Sequence, residues 1–526
     1  MSKGAGVRSE VKSDAGVVTP HLLPRTPLQL ENCQPRIEKA RLEASSQLNP
    51  GRRADFGQFM TPRCTADFMA GLFDLSNCSS IRLLDAGAGV GSLTVAFLEK
   101  VRKSKLRISD VSVTLYELDD LLVSYLAEEI ETYRQLLSDG GIKFSADLVR
   151  SDFIESAINQ IQFGMAEKFN FVILNPPYKK INSNSRHRHL LRQVGIETVN
   201  LYSAFVALAL ALTDTGGQIV AIIPRSFCNG PYYQPFREFI LARAAIRHMH
   251  LFASRDKAFK DDKVLQENVI ILLERGGQQG DVTVSTSTDD SFSDYTTHVY
   301  PFDQIVFPGV AERFIHVPTS PEHNSMALSP VFCYSLADIG VEVSTGPVVD
   351  FRVREHLREM PETGAVPLLY PGHFTGLSIE WPKPGMKKPN ALMRHPETDK
   401  LLYPNGFYAV VRRFSSKEEK RRIVASMVCP DVFDTPLLGF ENHLNVFHQR
   451  KQGLPEDLAR GLAVFLNSTA IDECFRRFSG HTQVNATDLR LMKYPGRDAL
   501  IALGRWAKEQ ENLSQERIDA KLESMV

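Results

Sequence analysis

The residues best suited to chemistry stand where one apolar run ends, in the sequence Asn175-Pro176-Pro177-Tyr178. The run before them, Phe171 to Leu174, is apolar and predicts a buried strand. Proline has no backbone N–H to donate to a sheet, so the strand must end at Asn175. The loop that follows combines an amide side chain, a prolyl carbonyl and an aromatic ring.

Such a loop suits a planar heterocycle that carries an exocyclic amine. The nitrogen of an aromatic amine is a poor nucleophile because its lone pair is delocalised into the ring. Two acceptors aimed at its N–H groups, the Asn175 side-chain oxygen and the Pro176 carbonyl, would favour a pyramidal nitrogen with a localised lone pair. Tyr178 could stack on the ring. The alternative is a structural turn in which Asn175 caps its own backbone.

A second group of residues precedes this loop and reads Asp85-x-Gly87-x-Gly89-x-Gly91. Glycines let the chain turn tightly and let its backbone approach a ligand. An acid at this strand end would repel a pyrophosphate, but it suits a cationic ligand. S-adenosylmethionine, a sulfonium with an α-amino group, has the required charge.

Two further strand ends carry acids. Glu117 closes an apolar run and is placed like an acceptor for ribose hydroxyls. Its distance from Asp85 exceeds the usual ~20 residues, so a long helix or loop must lie between them. Asp152 and Phe153 follow a third run and could contact an adenine ring. Taken alone, each acid could simply be a solvent-exposed residue at a strand end. The order of the acids, followed by the Asn-Pro-Pro-Tyr loop, favours a methyltransferase.

These residues need a framework, and the chain predicts one. Strand-like runs alternate with helix-like segments as far as about residue 315, which indicates an α/β, Rossmann-like, mainly parallel sheet with helices on both faces and ligands at the carboxyl ends of the strands. Thr61 is predicted to cap a helix that has Pro62 at its first position.

The chain is predicted to contain a disordered tail and two domains. Residues 1–28 show no periodicity and are predicted to be disordered. Residues 29–315 form the α/β domain. In residues 316–526 the alternation stops, and frequent prolines, scattered aromatics and basic clusters predict a second, α+β domain.

Composition limits the other classes of function. The net charge of the 526 residues is −1, so any contact with nucleic acid must come from local basic patches. The cysteines are odd in number and never paired as Cys-x-x-Cys, which argues against a disulfide framework and a zinc site. No run is apolar enough to span a bilayer and no signal peptide is recognisable, so a cytoplasmic protein that requires no metal is expected.

The order of these motifs resembles that of the gamma-class DNA adenine (N6) methyltransferases of type II restriction–modification systems. An element like Gly57 to Pro62 comes first, followed by the glycine loop, the Asn-Pro-Pro-Tyr loop and a C-terminal target-recognition domain. Four C-terminal segments resemble the recognition region of PstI/BsuBI-type modification methylases: residues 408–422, 440–445, 461–468 and 478–490.

The resemblance implies a cofactor, S-adenosylmethionine, and a target, an adenine flipped out of duplex DNA. The residues that would hold the cofactor are Thr61, Asp85, Gly87 and Gly89 at the methionine end, Glu117 at the ribose, and Asp152 and Phe153 at the adenine. The residues that would hold the target base are Asn175, Pro176, Pro177 and Tyr178. A second aromatic, Phe259 or its competitor Phe252, would close on the base from the other side; core packing is the alternative for Phe259.

The resemblance also implies contacts with DNA. The candidates for phosphate contacts are Arg412, Arg413, Lys420, Arg421 and Arg422. The candidates for base contacts are Gln483, Asn485 and Arg490. The alternatives are a solvated helix face around Lys417 to Lys420, where acids alternate with the lysines, and turn caps for the polar residues after 482.

The expected enzyme is a monomer that moves the methyl group in line to the adenine amine and protects host DNA from a separately encoded endonuclease. Release-factor glutamine methyltransferases and some rRNA methyltransferases share the Asn-Pro-Pro-Tyr loop, but they lack a large C-terminal domain of this kind. A non-catalytic DNA-specificity module is the other alternative, and the intact Asp85, Glu117, Asp152 and Asn175 speak against it.

Overall fold

The structure is a computed structural model that describes residues 35–48, 60–252, 267–308, 311–318, 332–415, 419–478 and 483–525. The predicted disordered tail and the predicted stacking residue Phe259 lie outside the described residues. Within the described ranges, each helix is too short or too polar to cross a bilayer.

One large sheet organises the N-terminal half. Its strands are β1 (Ser80–Ala86), β2 (Asp110–Tyr116), β3 (Lys143–Val149), β4 (Phe169–Leu174), β5 (Thr213–Pro224), β6 (Ala244–Phe252), β7 (Asn268–Arg275), β8 (Val282–Ser287) and β9 (Thr296–Tyr300). Their order is β3-β2-β1-β4-β5-β7-β6-β8-β9. The five strands from β3 to β5 are parallel, which confirms the predicted Rossmann-like arrangement. From β5 onward β7 is antiparallel to both of its neighbours.

Helices cover both faces of this sheet. They are α1 (Pro35–Gln47), α2 (Arg63–Gly71), α3 (Ser92–Lys103), α4 (Asp120–Asp139), α5 (Phe153–Gln162), α6 (Arg186–Gln193), α7 (Leu201–Leu212), α8 (Gln234–Leu241) and α9 (Phe302–Ile305). Alternate residues of β4 serve the two faces: Val172 and Leu174 belong to one hydrophobic cluster, and Phe171 and Ile173 to the other. A strand buried on both sides reads as a continuous apolar run, and this explains why the sequence reveals it.

Two details of this half bear on the predictions. The gap between Asp85 and Glu117 is filled by α3 and the loop that follows it, as its length requires. The prediction that Thr61 caps a helix is wrong. The helix α2 begins at Arg63, and Pro62 occupies the capping position without a side-chain hydrogen bond.

The C-terminal half is an α+β structure of small sheets and packed helices. Its strands are β10 (Glu342–Thr345), β11 (Leu357–Arg358), β12 (Ala365–Leu369), β13 (Phe374–Thr375), β14 (Ser378–Ile379), β15 (Ala391–Met393), β16 (Tyr403–Pro404), β17 (Tyr408–Arg412), β18 (Ala425–Val428), β19 (Leu437–Phe440) and β20 (Leu444–His448). They pair as β10-β20-β17-β18, β11-β15-β12-β19-β16 and β13-β14. The helices are α10 (Pro396–Asp399), α11 (Glu456–Leu466), α12 (Thr469–Phe478), α13 (Ala486–Leu491), α14 (Arg497–Lys508) and α15 (Gln515–Glu523).

Two glycines let α11 and α14 approach closely. A Cβ atom at Gly461 would lie 1.9 Å from the carbonyl oxygen of Leu500, and one at Gly504 would lie 1.8 Å from that of Asp457. The helix α11 packs in turn against β17 and β18, and one hydrophobic cluster joins these elements. The four-stranded sheet therefore has a rigid support on one side.

Candidate active site

A cleft of about 390 Å³ opens at the carboxyl ends of β1, β2 and β4. The strand β1 lies between β2 and β4, so the chain leaves the sheet in opposite directions on either side of it. Open α/β sheets bind ligands at such a point. The cleft is lined by residues from the predicted sites: Thr61, Gly87, Gly89, Glu117, Asp152, Phe153, Asn175 and Pro177.

The glycine loop adopts a backbone conformation that side chains disfavour. Gly87, Gly89 and Gly91 have φ angles of 80°, 58° and 91°. A Cβ atom at Gly91 would also lie 2.7 Å from a methyl group of Leu126. The N–H groups of Gly87 and Ala88 both donate to the carbonyl oxygen of Tyr116 at 2.9 Å. The loop is thus folded against the end of β2, with its open backbone forming one wall of the cleft.

Glu117 fixes this loop from the neighbouring strand. Its Oε2 accepts from the Gly89 N–H at 2.9 Å, and its Oε1 accepts from the N–H groups of Leu118 at 2.8 Å and Asp119 at 2.9 Å. Burial raises the pKa of Glu117, against the effect of these three hydrogen bonds. A carboxylate has about four acceptor positions, so a ligand hydroxyl can still donate to Glu117.

Asp85 lies beneath the glycine loop and does not line the cleft. It is fully buried, and its Oδ2 accepts from the Thr94 hydroxyl at 2.7 Å. In the described part of the chain its Oδ1 has no hydrogen-bond partner. Burial raises the pKa of Asp85 to about 7, and the nearby Glu117 contributes to the rise. A cation above the loop would stabilise the charged form.

Asp152 begins α5 and pairs with a residue that the sequence analysis missed. Its side chain accepts from the Glu155 N–H at 3.0 Å and lies 3.2 Å from His187 Nε2. Burial alone would raise the pKa of Asp152, but the contacts with His187 and Glu155 lower it. The same contact raises the pKa of His187. His187 lines the cleft from α6, and its place in a run of basic residues gave no signal of this role.

Phe153 is held as a rigid wall of the cleft. Its ring centroid lies 5.1 Å from that of Tyr116 and 5.0 Å from that of Phe205. The residue is 3% exposed, so its ring is fixed before any ligand arrives. A flat ligand could rest against its remaining accessible edge.

The Asn175 amide is held from two sides at the end of β4. Its Nδ2 donates to the Thr61 hydroxyl at 3.0 Å. The Tyr178 hydroxyl lies 3.1 Å from Asn175 Oδ1 and 3.2 Å from the carbonyl oxygen of Ile222, and its single proton can serve one of them at a time. These contacts fix the orientation of the amide, with Nδ2 toward Thr61.

The aromatic candidates are placed differently from expectation. Tyr178 does not line the cleft, and its ring lies edge-on to Tyr202 with the centroids 6.2 Å apart. Pro176 is also buried behind the cleft wall. The suggestion that Phe252 closes on a base is wrong, because Phe252 is 3% exposed and packs against His250 and Phe292.

Two of the predicted phosphate contacts are bound within the C-terminal half, Arg422 as a buried residue and Arg421 as a partly buried one. Arg422 is fully buried, with its guanidinium 5.5 Å from the ring centroid of Phe475, so the prediction that it contacts phosphates is wrong. Arg421 donates to the Ser468 carbonyl at 2.7 Å and to the Gln515 side chain. Burial lowers the pKa of Arg421. Both arginines therefore hold the fold together.

The other DNA candidates separate into a pair and several isolated residues. Arg413 donates to the Gln483 side chain and to the Asn442 carbonyl, both at 3.2 Å. Asn485 begins α13 and donates twice to Asp488, which supports the turn-cap alternative. Three candidates remain. Arg412 pairs with Glu419, and Lys420 is exposed. Arg490 is exposed and donates to the Val343 carbonyl at 3.3 Å.

Comparison with known proteins matches this chain to methyltransferases of restriction–modification systems. Residues 100–259 match the family model of the Eco57I restriction-modification methylase. The chain is 52% identical to the type II methyltransferase M.BsuBI of Bacillus subtilis, over 93% of this chain and 97% of that protein. It is 44% identical to the type II methyltransferase M.PstI of Providencia stuartii, over 88% of this chain and 92% of that protein.

A solved structure shares the fold. The Type IIL restriction-modification enzyme MmeI, solved in complex with DNA, matches with a TM-score of 0.50 and 10% identity, over 93% of this chain and 72% of that one. At this level of identity the match describes the fold alone.

Proposed function

Because this chain belongs to the type II DNA methyltransferases of restriction–modification systems, we propose that it methylates the exocyclic N6 amine of an adenine in duplex DNA. The observation that carries the proposal is the Asn175 amide, held between Thr61 and Tyr178 at the edge of the cleft that the glycine loop and Glu117 line. The proposed methyl donor is S-adenosylmethionine.

The residues of the cleft fit this donor. The glycine loop is open on the cleft side, Glu117 retains an acceptor position for a ribose hydroxyl, and Phe153 offers an aromatic edge. The unpaired, buried oxygen of Asp85 lies beneath the loop, where a positive charge would favour its ionised form. Bound S-adenosylmethionine would supply an electrophilic methyl group. Asp152 would accept from its adenine amine.

Asn175 and Pro176 prepare the target amine. The Asn175 side-chain oxygen would accept from one N–H group and so help to localise the nitrogen lone pair. The Pro176 carbonyl would accept from the second N–H group once base binding uncovers this buried residue. Thr61 keeps the Asn175 Nδ2 on the opposite side, so the oxygen is the atom left for the base. The Tyr178 hydroxyl can transfer its hydrogen bond to the Ile222 carbonyl, which releases Asn175 Oδ1 for the amine.

The target adenine must leave the base stack, because its amine cannot reach a cleft of this kind inside the duplex. In this proposal Phe259 closes on one face of the flipped base, and Tyr178 acts through its hydroxyl contact with Asn175 and not by stacking. Residues 29–315 carry out the transfer, and residues 316–526 recognise the DNA sequence. The enzyme acts as a monomer and protects DNA from a separately encoded endonuclease. No general base is required before attack, since the nitrogen can release its proton after alkylation.

The proposal is tested by the product. Purified protein is incubated with S-adenosylmethionine labelled in its methyl group and with duplex DNA, and the DNA is digested to nucleosides. Label in N6-methyladenine is the expected result. Label in cytosine, or label in protein or rRNA without any in duplex DNA, would overturn the proposal and favour the other enzymes that use an Asn-Pro-Pro-Tyr loop.

A further inference from the structure

Three distant loops of the C-terminal half meet at the end of β17. The turn Glu441–His443 joins β19 to β20, and the Arg413 N–H donates to the His443 carbonyl at 2.8 Å. The Val484 N–H donates to the Arg413 carbonyl at 2.7 Å. We refer to Arg413, Phe414, Glu441, His443 and Gln483 as the loop cluster. Backbone hydrogen bonds therefore hold the loop cluster in place.

Glu441 and His443 form an unusual pair within the loop cluster. Glu441 is fully buried, and its Oε1 and Oε2 lie 2.6 Å and 2.7 Å from His443 Nδ1. Oε2 also accepts from the His443 N–H at 2.9 Å. Both oxygens of a buried carboxylate are thus committed to one histidine, whose side chain is 41% exposed.

This pairing determines what His443 offers to a partner. A carboxylate only accepts hydrogen bonds, so Nδ1 must carry the proton that it donates to Glu441. The remaining nitrogen, Nε2, is then an acceptor in the neutral imidazole. Burying a carboxylate costs free energy. The fold does not require the exposed side chain of His443 to keep one orientation. The pair is better explained by a contact that His443 makes outside the protein.

The neighbours of His443 suit a nucleic-acid base. The Phe414 ring is 41% exposed and its centroid lies 4.8 Å from that of His443. Arg413 lies 5.6 Å from the Phe414 centroid and holds Gln483 through a hydrogen bond. Imidazole, guanidinium and amide groups beside an exposed aromatic ring are the side chains that contact base edges and faces.

A series of contacts connects the loop cluster to the large sheet of the N-terminal half. Arg225 directly follows β5, the neighbour of β4, and donates to the Arg476 carbonyl of α12 at 3.3 Å. Arg476 donates to the Glu419 carbonyl at 2.9 Å, and Glu419 pairs with Arg412, the residue before Arg413. This short series of contacts leads from the strand end near Asn175 to the loop cluster.

We propose that His443, positioned by Glu441, reads a base edge of the target duplex, with Phe414 packed beside the contact. The inference rests on the proposed function, because it requires duplex DNA as the substrate. The contact with Glu441 leaves Nε2 for the base: without a proton it accepts from the exocyclic amine of adenine or cytosine, and with one it donates to an acceptor of guanine.

The test compares three variants on the target duplex, whose sequence is first identified by sequencing methylated adenines in DNA from a host that expresses the protein. His443→Ala removes the contact. His443→Phe keeps a ring against Phe414 but has no ring nitrogen. His395→Ala is the control for DNA binding, since His395 is an exposed histidine of the same half that caps the start of α10. For each variant, kcat, the KM for DNA and the thermal unfolding temperature are measured.

Both His443 variants should raise the KM for DNA about tenfold at unchanged kcat, and His395→Ala should keep the wild-type KM for DNA. Because each His443 variant removes the imidazole donor of the buried Glu441 carboxylate, both should unfold at a lower temperature, and the kinetic assays are run below it. On duplexes with single base-pair substitutions, both should tolerate changes at one position that the wild type rejects. Glu441→Gln, a positioning variant, should raise the KM by a smaller factor with kcat unchanged. Because the ring of His443→Phe restores packing, a loss of folding confined to His443→Ala leaves the test intact.

Two results would overturn the inference. A uniform loss of affinity across sequences, with a salt slope of binding reduced by about one, would make His443 a phosphate contact. Wild-type base selectivity in both His443 variants would exclude any reading role. Failure of the proposed function has a different signature, because the wild-type protein would then methylate no adenine in duplex DNA.

Discussion

The cleft at the strand ends and the basic segments of the C-terminal half differ in how they use polar side chains. Glu117 and Asn175 are held by hydrogen bonds and still line the cleft. Arg421 and Arg422 are held as firmly, yet their hydrogen bonds and ring contacts lie within the protein. A polar residue at the end of a parallel strand therefore predicts a site, whereas a cluster of arginines alone does not.

The physical reason is how far apart in the sequence the interacting residues lie. A parallel strand directs its carboxyl end to the same edge of the sheet as its neighbours, so local sequence is enough to place Glu117 or Asn175. The environment of Arg422 depends on Phe475, and that of Arg421 on Gln515, and both partners lie far along the chain. Only the folded C-terminal half shows that these arginines are bound within the protein.

The largest expected effect is at the cleft. Asn175→Ala should lower the rate of methyl transfer by at least about 10²–10³-fold, because it removes an acceptor that acts on the reacting amine. The affinity for S-adenosylmethionine, measured by titration calorimetry, should change little. Asn159→Ala, at an exposed position of α5, is the matched control. Normal turnover in the Asn175 variant would contradict the proposal that Asn175 acts on the target amine. The contrast between the cleft and the C-terminal arginines would then have no functional basis.

The arginines test the other side of the comparison. Arg422→Ala should lower the free energy of unfolding by about 2–5 kcal/mol, because truncating a fully buried side chain leaves a cavity. Arg413→Ala, at a partly exposed position, should change it by less than about 1 kcal/mol. Urea unfolding followed by tryptophan fluorescence reports on this half, because Trp381 and Trp506 both lie in it. Equal destabilisation by the two variants would contradict the assignment of Arg422 to the interior and Arg413 to the surface.

The same contrast explains how much of the fold is readable from the sequence. The strands β1, β2 and β4 are rich in apolar residues, continuously so only from Phe171 to Leu174 of β4, and all three are predicted correctly. The strand β6 is missed because Arg247, His248 and His250 interrupt its run. In the structure His248 and His250 are buried and paired with Ser285 of β8, a partner that local sequence cannot reveal.

The candidate site is likewise only partly predictable from the sequence. The order of the strand-end acids and the Asn-Pro-Pro-Tyr loop identifies the wall of the cleft. The sequence does not show that Thr61 binds Asn175, since 114 residues separate them, nor that His187 pairs with Asp152. Side chains set by strand ends are predictable, and side chains brought together by loops are not.

A smaller effect tests the contact between Thr61 and Asn175. Thr61→Val keeps the shape of the side chain and removes the oxygen that accepts from Asn175 Nδ2. The amide loses its contact with Thr61, so kcat should fall about five- to tenfold, the equivalent of one hydrogen bond. Cofactor affinity should stay within a factor of two. A loss of cofactor affinity at unchanged kcat would instead place Thr61 at the methionine end of the cofactor, as the family resemblance implies.

A change of stability with pH, and not of rate, tests the buried acid under the glycine loop. Burial raises the pKa of Asp85 from 3.8 to about 7. Between these values the folded protein keeps a proton that the unfolded chain has released, so ionisation of Asp85 reduces stability as the pH rises through this window. The reduction amounts to at most about 1.4 kcal/mol per pH unit and is complete above pH 7.

Asp85→Asn cannot ionise and should lack this contribution. Without cofactor, its stability relative to wild type should therefore increase from pH 5 to pH 7 and stay level at higher pH, as urea unfolding at each pH would show. Any constant cost of the new amide beside Thr94 shifts all values equally and does not alter the slope. A difference that is the same at every pH would mean that Asp85 is already charged in the folded protein. The protein would then hold a buried charge beneath the glycine loop without a cofactor. The contrast between the cleft and the paired arginines would depend on Asn175 and Glu117 alone.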